Sequence, residues 1–172
     1  PFVKGILMEK PLSNSLEGVD QLINEIKKNK TVLFMGHNLM FHPIIINIKE
    51  FINSNEVGKM LNIQCQVGHW LPDWHPYEDY KKSYFAKKEL GGGVALTLIH
   101  EIHLAIELAG KPLEVCGMKS SSSLLDVDTD IDVISDAMIR HESGCVSQIH
   151  MDYIQKPFHR SGTITFERVK IF

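Results

Sequence analysis

At 172 residues the chain is one domain's worth of sequence, and a composition 44% hydrophobic and 23% charged is that of an ordinary globular protein. Disorder, a collagen-like repeat and a coiled coil are excluded, and a formal net charge of −3 with no basic block leaves no nucleic-acid partner to expect. Apolar runs such as Pro43–Ile46 fall far short of the ~20 residues of a membrane span, and no basic-then-apolar export signal is visible.

Phe2–Met8 is a short apolar segment that Pro11 ends, since proline fixes a turn and disfavours helix at Lys10. Asn14 and Glu17 have capping-box spacing, and Leu16, Val19, Leu22, Ile23 and Ile26 follow at helical intervals. Thr31–Met35, bounded by Gly36, predicts a buried strand. A second helix starts near Pro43, with Ile44, Ile45, Ile48, Phe51 and Ile52 on one face, and ends over Asn53–Gly58. Leu61, Ile63, Cys65 and Val67 alternate with polar residues, the pattern of a half-buried strand. His69–Leu90 has neither period and is rich in aromatic residues, which marks a functional loop. Gly91-Gly92-Gly93 opens a third helix with the stripe Ala95, Leu98, Ile99, Ile102, Ile106 and Ala109, stopped by Gly110 and Pro112. Strands follow at Leu113–Met118, Ile131–Arg140, Cys145–Ile154 and Thr163–Val169, with a hairpin turn at Glu142-Ser143-Gly144. Helices first and antiparallel strands later predict an α+β fold.

The chemistry legible from spacing is sparse. Cys65, Cys116 and Cys145 have no CxxC spacing and fit reduced thiols in a cytoplasmic protein better than a disulfide frame or zinc site. His100 and His103 share a helix face, but His100-Glu101-Ile102-His103 is one residue short of HExxH, so no metal is expected. The triple glycine could cradle a phosphate, yet it lacks the P-loop Lys-Ser/Thr, and a tight turn before the helix is the favoured reading. No nucleophile elbow occurs, and Asp126, Asp128, Asp130 and Asp132 lack the glycine and distal glutamate of a calcium loop, which leaves a solvated loop. Trp70, Trp74, Tyr77, Tyr80 and Tyr84 either form a sugar-facing rim or pack the loop onto the sheet. Lys10, held between a strand end and a proline, could donate to a substrate oxygen.

Glu9-Lys10-Pro11-Leu12-Ser13 resembles a hallmark of the Gfo/Idh/MocA oxidoreductases, the glucose–fructose oxidoreductase and inositol dehydrogenase family. Gly36-His37-Asn38-Leu39-Met40-Phe41-His42-Pro43 is similar to the family's GxNxRFxP segment, and Glu56-Val57-Gly58-Lys59 to its entry into the sheet. Trp74-His75-Pro76-Tyr77, Gly91-Gly92-Gly93 through His100-Glu101-Ile102, and Met151-Asp152-Tyr153-Ile154-Gln155-Lys156-Pro157 continue the resemblance in order.

The resemblance implies a substrate domain with an open, mainly antiparallel sheet and helices packed on one face. It implies that residues 1–12 end a Rossmann domain mostly missing from this chain, that residues 13–172 form the substrate and oligomerisation domain, and that the chain stops short of its C-terminus. By the same resemblance, NAD or NADP is the cofactor, with Glu9, Lys10 and Pro11 on its side. The substrate is a sugar or polyol, with a nucleotide sugar or a sialic-acid-like compound among the candidates. A homo-oligomer through the sheet is implied. Lys10 would hydrogen-bond the reacting oxygen and His100 would be the general acid/base, with Asn38, Trp74, Tyr80, Tyr84, Thr97 and His103 around the substrate. The carboxylate that the family carries a turn before that histidine is absent, Leu96 and Thr97 standing there. His103 replaces an aspartate, Met40 replaces an arginine, and Phe166-Glu167-Arg168-Val169 replaces a GExG turn. A non-catalytic sugar-binding or oligomerisation module on the same fold is the alternative.

Overall fold

The computed structural model describes residues 3–54 and 56–172; Phe2 of the expected first strand, Asn55 of the expected helix stop, and Pro1 lie outside the described residues. Strand β1 (Gly5–Met8) leads through helix α1 (Val19–Asn29) to β2 (Val32–Met35), which pairs with β1 in parallel, Met8 opposite Met35. A parallel pair needs such a crossover because both strands must start from the same edge. The two strands form a sheet of their own. Val32 and Phe34 are exposed, so the run at Thr31–Met35 is a strand but not a buried one. Helix α1 starts later than the Asn14–Glu17 pair predicts, because Gly18 at φ 75 turns the chain just before it. The Ser13 and Ser15 hydroxyls accept from the amides of Ser15 and Glu17 in local turns instead. Helix α2 (Pro43–Asn53) begins at a proline, and His42 Nδ1 accepts from the Ile44 amide. Ile48 and Ile52 pack inward, whereas Ile44 and Phe51 stay exposed.

The main sheet has six strands in the order β4-β5-β6-β3-β7-β8. They are β3 (Met60–Gly68), β4 (Pro112–Ser120), β5 (Ile134–His141), β6 (Val146–Asp152), β7 (His159–Phe166) and β8 (Lys170–Ile171). The β3–β6 pair is parallel and the others are antiparallel, which gives the open, mainly antiparallel α+β sheet expected. A register shift between Met60 and Asn62 turns Leu61 outward, while Ile63 and Val67 keep the buried face. Strand β7 starts at His159, not Thr163, and Phe166–Val169 is the turn into β8. That turn closes without glycine because it is held from outside. Glu167 and Arg168 donate their amides to the Lys59 and Val57 carbonyls, and the Glu167 carboxylate accepts from the Lys59 amide.

After the short helix α3 (Leu71–Trp74), the helix predicted from the triple glycine onward is two helices, α4 (Val94–Thr97) and α5 (His100–Ala109), with a bend of 51° before α5. The bend rotates the buried stripe to Leu98, Glu101, Ala105 and Ala109. The glycines make a close turn. A Cβ on Gly92 would lie 2.6–2.8 Å from the carbonyl oxygens of Tyr84, Lys87 and Phe85. Asp132 caps the start of α4, its carboxylate accepting from the Ala95 amide at 3.0 Å. That role delays β5 to Ile134 rather than Ile131. Asp128 likewise accepts from Lys88 N and Lys87 Nζ, so these two aspartates brace the glycine turn rather than form a merely solvated loop. The larger core cluster includes Val67, Phe85, Leu98, Met151 and Tyr153; the smaller one includes Val57, Ile63, Cys145 and Phe166. Among the described residues no single helix is long and apolar enough to cross a membrane.

The glycine turn yields a stability prediction. Gly92→Ala drives a methyl into three carbonyls and should cost roughly 2–3 kcal/mol. Gly18→Ala meets nothing within 4 Å and bears only the left-handed backbone, about 1 kcal/mol. Urea denaturation of the two variants measures the difference; equal losses would contradict the packing at Gly92.

Candidate active site

Because β1 and β2 run in the same direction, Glu9-Lys10-Pro11 and Gly36-His37-Asn38 leave from the same carboxyl edge of the small sheet. The Glu9 carboxylate lies over Gly36, where a Cβ would come within 3.2 Å of it. Lys10 reaches further, and its Nζ donates to the Thr97 carbonyl oxygen at 2.7 Å. That carbonyl is available because α4 ends at Thr97, and the last carbonyls of a helix lack intrahelical partners. The next helix starts with His100, so lysine and histidine are drawn to one place by the same helix break.

Three imidazoles gather there. His37 stacks on His103 with ring centroids 3.5 Å apart and planes 3° from parallel, and it meets His100 edge-on at 6.0 Å. His103 Nε2 lies 3.9 Å from the Glu107 carboxylate. The Nδ1 atoms of His37 and His100, Thr97 Oγ1, Glu101 Oε2 and Tyr153 Oη are all buried without a hydrogen-bond partner. The hydroxyls of Tyr84 and Tyr153 both approach the Thr97 side chain. Buried polar atoms are almost always paired, so this group of orphans around one helix break marks the candidate site.

Burial, then the nearby Lys10 and Arg160 cations, then His37 and His103, push His100 down to about 4. It is therefore a neutral imidazole, able to accept a proton, near pH 7. Burial foremost also lowers His37 and His103. Lys10 is lowered by burial first, with Glu9 and Glu101 opposing and Arg160 assisting. Behind these groups Glu101, 2% exposed, accepts from Arg160 Nε at 2.7 Å. Burial raises Glu101 and the arginine opposes that rise.

Of the residues singled out from sequence, Lys10, Thr97, His100, His103 and Tyr84 come together, with Glu9 and Pro11 at the strand end beside them. Asn38 is exposed in the turn that follows His37. Trp74 and Tyr80 pack against the larger core instead. Trp74 stacks on Phe85, and the Tyr80 hydroxyl accepts from the Asp126 amide at 3.1 Å. Trp70 also packs there, under Lys156, while Tyr77 is exposed. The aromatic segment thus serves mainly as packing, with Tyr84 its contribution to the lysine site. Glu101, Arg160 and Tyr153 carried no assigned role in the sequence reading. The signal for Glu101 was its i, i+4 spacing to Ala105 and Ala109, which sets a carboxylate in a core stripe; nothing local marked Arg160. Among the described residues no group of three or more His, Cys, Asp or Glu side chains is arranged to hold a metal ion.

Residues 45–171 match the family profile described as the GFO/IDH/MocA C-terminal domain. The chain belongs to that family. Over 152 residues, 85% of the chain, it is 29% identical to myo-inositol 2-dehydrogenase of Thermotoga maritima, and the match covers 42% of that protein. Trans-1,2-dihydrobenzene-1,2-diol dehydrogenase of Xenopus tropicalis is 30% identical over 95 residues, 55% of this chain and 26% of the relative. Among solved structures, levoglucosan dehydrogenase in complex with NADH and levoglucosan superposes with a TM-score of 0.84 at 21% identity, over 97% of this chain and 46% of that one. The WlbA dehydrogenase from Bordetella pertussis, in complex with NADH and UDP-GlcNAcA, gives 0.78 at 18% identity, over 95% and 49%. The chain spans less than half the length of each of these relatives. Within this Gfo/Idh/MocA domain, Leu96 and Thr97 leave His100 without a carboxylate partner among the described hydrogen bonds.

A histidine depressed on folding takes up its proton first in the unfolded chain. Its stabilising contribution is whole above the ordinary value of 6.5 and is lost as pH falls toward about 4. His100→Asn should therefore flatten the fall in stability across that interval, by about 1–2 kcal/mol after allowing for solvent screening. Urea midpoints at stepped pH test this; an unchanged slope would place His100 outside the buried cluster.

Proposed function

We propose that this chain is the substrate-binding half of a nicotinamide-dependent oxidoreductase, one that moves a hydride between the cofactor and a hydroxyl-bearing carbon of a sugar or polyol. The observation that carries this reading is the Lys10–Thr97 hydrogen bond, which sets a strand-end amine beside a neutral helix-start imidazole. Relatives named as dehydrogenases of myo-inositol, D-xylose and levoglucosan support the substrate class. NAD or NADP would lie at the carboxyl edge of β1 and β2, where parallel strands bind nucleotides and where the Glu9 carboxylate lies over Gly36. Glu9, Lys10 and Pro11 would line it. When bound, the nicotinamide supplies the hydride acceptor or donor.

In this reading Lys10 donates a hydrogen bond to the reacting oxygen. His100 takes the hydroxyl proton at a ring nitrogen, which its neutral state permits. Tyr84, Thr97, His103 and Asn38 hold the remaining hydroxyls. We propose that the nucleotide-binding part extends past the expected residue 12 to residue 35, a reading supported by β1 and β2 pairing with each other and, among the described residues, with no strand of the main sheet. The uncovered face of the main sheet bears a concavity of about 740 Å³ lined by residues including Gln64, Gln66, Met118, Met138 and His150, and is the proposed homo-oligomer contact. The absence of a carboxylate at positions 96 and 97, and Met40 in place of an arginine, favour a second reading, a non-catalytic sugar-binding or oligomerisation module.

Turnover separates the two. In a protein joining this chain to a nicotinamide-binding domain, Lys10→Met and His100→Asn should each lower kcat for inositol or xylose oxidation by roughly 10²–10⁴-fold. Unchanged kcat in both variants would overturn the catalytic reading in favour of the module.

A further inference from the structure

We propose that His150 is a pH-sensitive clasp on the open face of the main sheet. As an imidazolium it holds Asp136 and Asp152 together; on losing its proton it keeps Asp152 and releases Asp136, which leaves a bare carboxylate on the surface read above as the homo-oligomer contact. The gating of that contact rests on the reading of the face, whereas the clasp is a property of this chain alone. Asp136 and His150 lie directly opposite each other on β5 and β6. His150 Nδ1 is 2.7 Å from Asp136 Oδ1, and its Nε2 is 3.1 Å from Asp152 Oδ2. A carboxylate only accepts, so the ring has to donate from both nitrogens, and only the charged form carries two N–H groups.

The two carboxylates differ in how they fare without it. Asp152 is 3% exposed, and its Oδ1 accepts from the Ile154 and Gln155 amides at 2.8 and 2.7 Å. The β3 backbone closes over its Oδ2 at Gly68, where a Cβ would collide with that oxygen. Asp136 has a side chain 59% exposed and, among the described residues, no other partner for its carboxylate. A buried acceptor that loses its donor bears the full desolvation penalty, while an exposed one is rehydrated. The single N–H of the neutral ring therefore stays at Nε2 with Asp152, and Asp136 turns to water in the concavity that it lines.

Among the described residues, the neighbouring strands offer Asp136 no replacement cation. On β3, Gln66 faces His150 and bonds to Ser161; on β7, His159 also bonds to Ser161. On β4, Met118 faces Asp136, with Cys116 beyond it, and Glu114 is paired with Arg140 of β5. Burial opposes the charge on His150, but Asp136 and then Asp152 outweigh it and raise the ring above its ordinary 6.5. The clasp is thus fully closed below 6.5 and opens as pH rises through the raised midpoint. Where this patch meets its own copy across a two-fold axis, each released Asp136 adds like charge to the contact, so self-association weakens in the same direction.

Two measurements on the 172-residue chain test the two parts. NMR of the imidazole nitrogens should show both protonated below the His150 midpoint and Nε2 alone protonated above it. Asp136→Asn should lower that midpoint by about one unit. A neutral ring protonated at Nδ1, or a midpoint at or below 6.5, would overturn the clasp. Sedimentation velocity should show self-association roughly tenfold weaker at about pH 9 than at about pH 6. Asp136→Asn should associate strongly at both, His150→Gln weakly at both, and His159→Gln as the wild type does. Association that ignores pH, or an Asp136→Asn chain that still dissociates on alkalinisation, would overturn the gate alone. A chain monomeric at every pH would remove the contact and the gate with it. Since no turnover is read, none of these results bears on the oxidoreductase reading.

Discussion

The hydrogen bond from Lys10 to the Thr97 carbonyl joins two parts of the chain that share no sheet. The residues are 87 apart in sequence, yet the bond is 2.7 Å long. Much else in the structure makes it possible. Pro11 ends the segment after β1 and leaves the lysine at the sheet's edge. The glycine turn and the Asp132 cap fix where α4 begins. The early end of α4 frees the carbonyl that the amine seeks, and the 51° bend starts α5 at His100. A continuous helix over the same residues would have used that carbonyl internally and turned His100 elsewhere.

The site is a cluster of bases in a partly buried place, with few acids to balance them. His37, His100, His103 and Lys10 are all lowered, chiefly by burial; Lys10 further depresses His37 and His100, and His37 further depresses His100 and His103. Burial and these neighbours keep His100 neutral although Leu96 and Thr97 place no carboxylate before it. In a polar setting a carboxylate would keep the imidazole charged. Here burial and cationic neighbours keep it neutral, and the nearest buried carboxylate, Glu101, is held by Arg160.

The elements with strong periodicity were legible in the sequence. Both faces of β6 follow from alternation, with Cys145, Ser147, Ile149 and Met151 inward, and α2 follows from its proline start. The fold class followed from helices preceding strands. What escaped the sequence was set by tertiary contact. Leu61 left its expected face because of a register shift against β7, and the Phe166–Val169 turn formed without glycine because Val57–Lys59 holds it. The helix break at Thr97 has no local signature, since Ala95–Ile99 reads as good helix; Asp132 and the bonded lysine come from distant segments. Lys10 and His100 were found through segment resemblance rather than spacing. Arg160 was invisible because its partner lies on another layer, and the aromatic segment misled because rings that could stack on a sugar serve equally well as core.

The account stands or falls on Lys10 and His100 occupying one site, and the most direct measurement is an NMR titration of the His100 imidazole in the wild-type chain and in Lys10→Met. The Lys10 charge helps depress His100, so its removal should raise the His100 midpoint from about 4 toward the ordinary value of 6.5. A His100 midpoint identical in the two proteins would mean that the amine and the imidazole do not share a site, and would contradict the account.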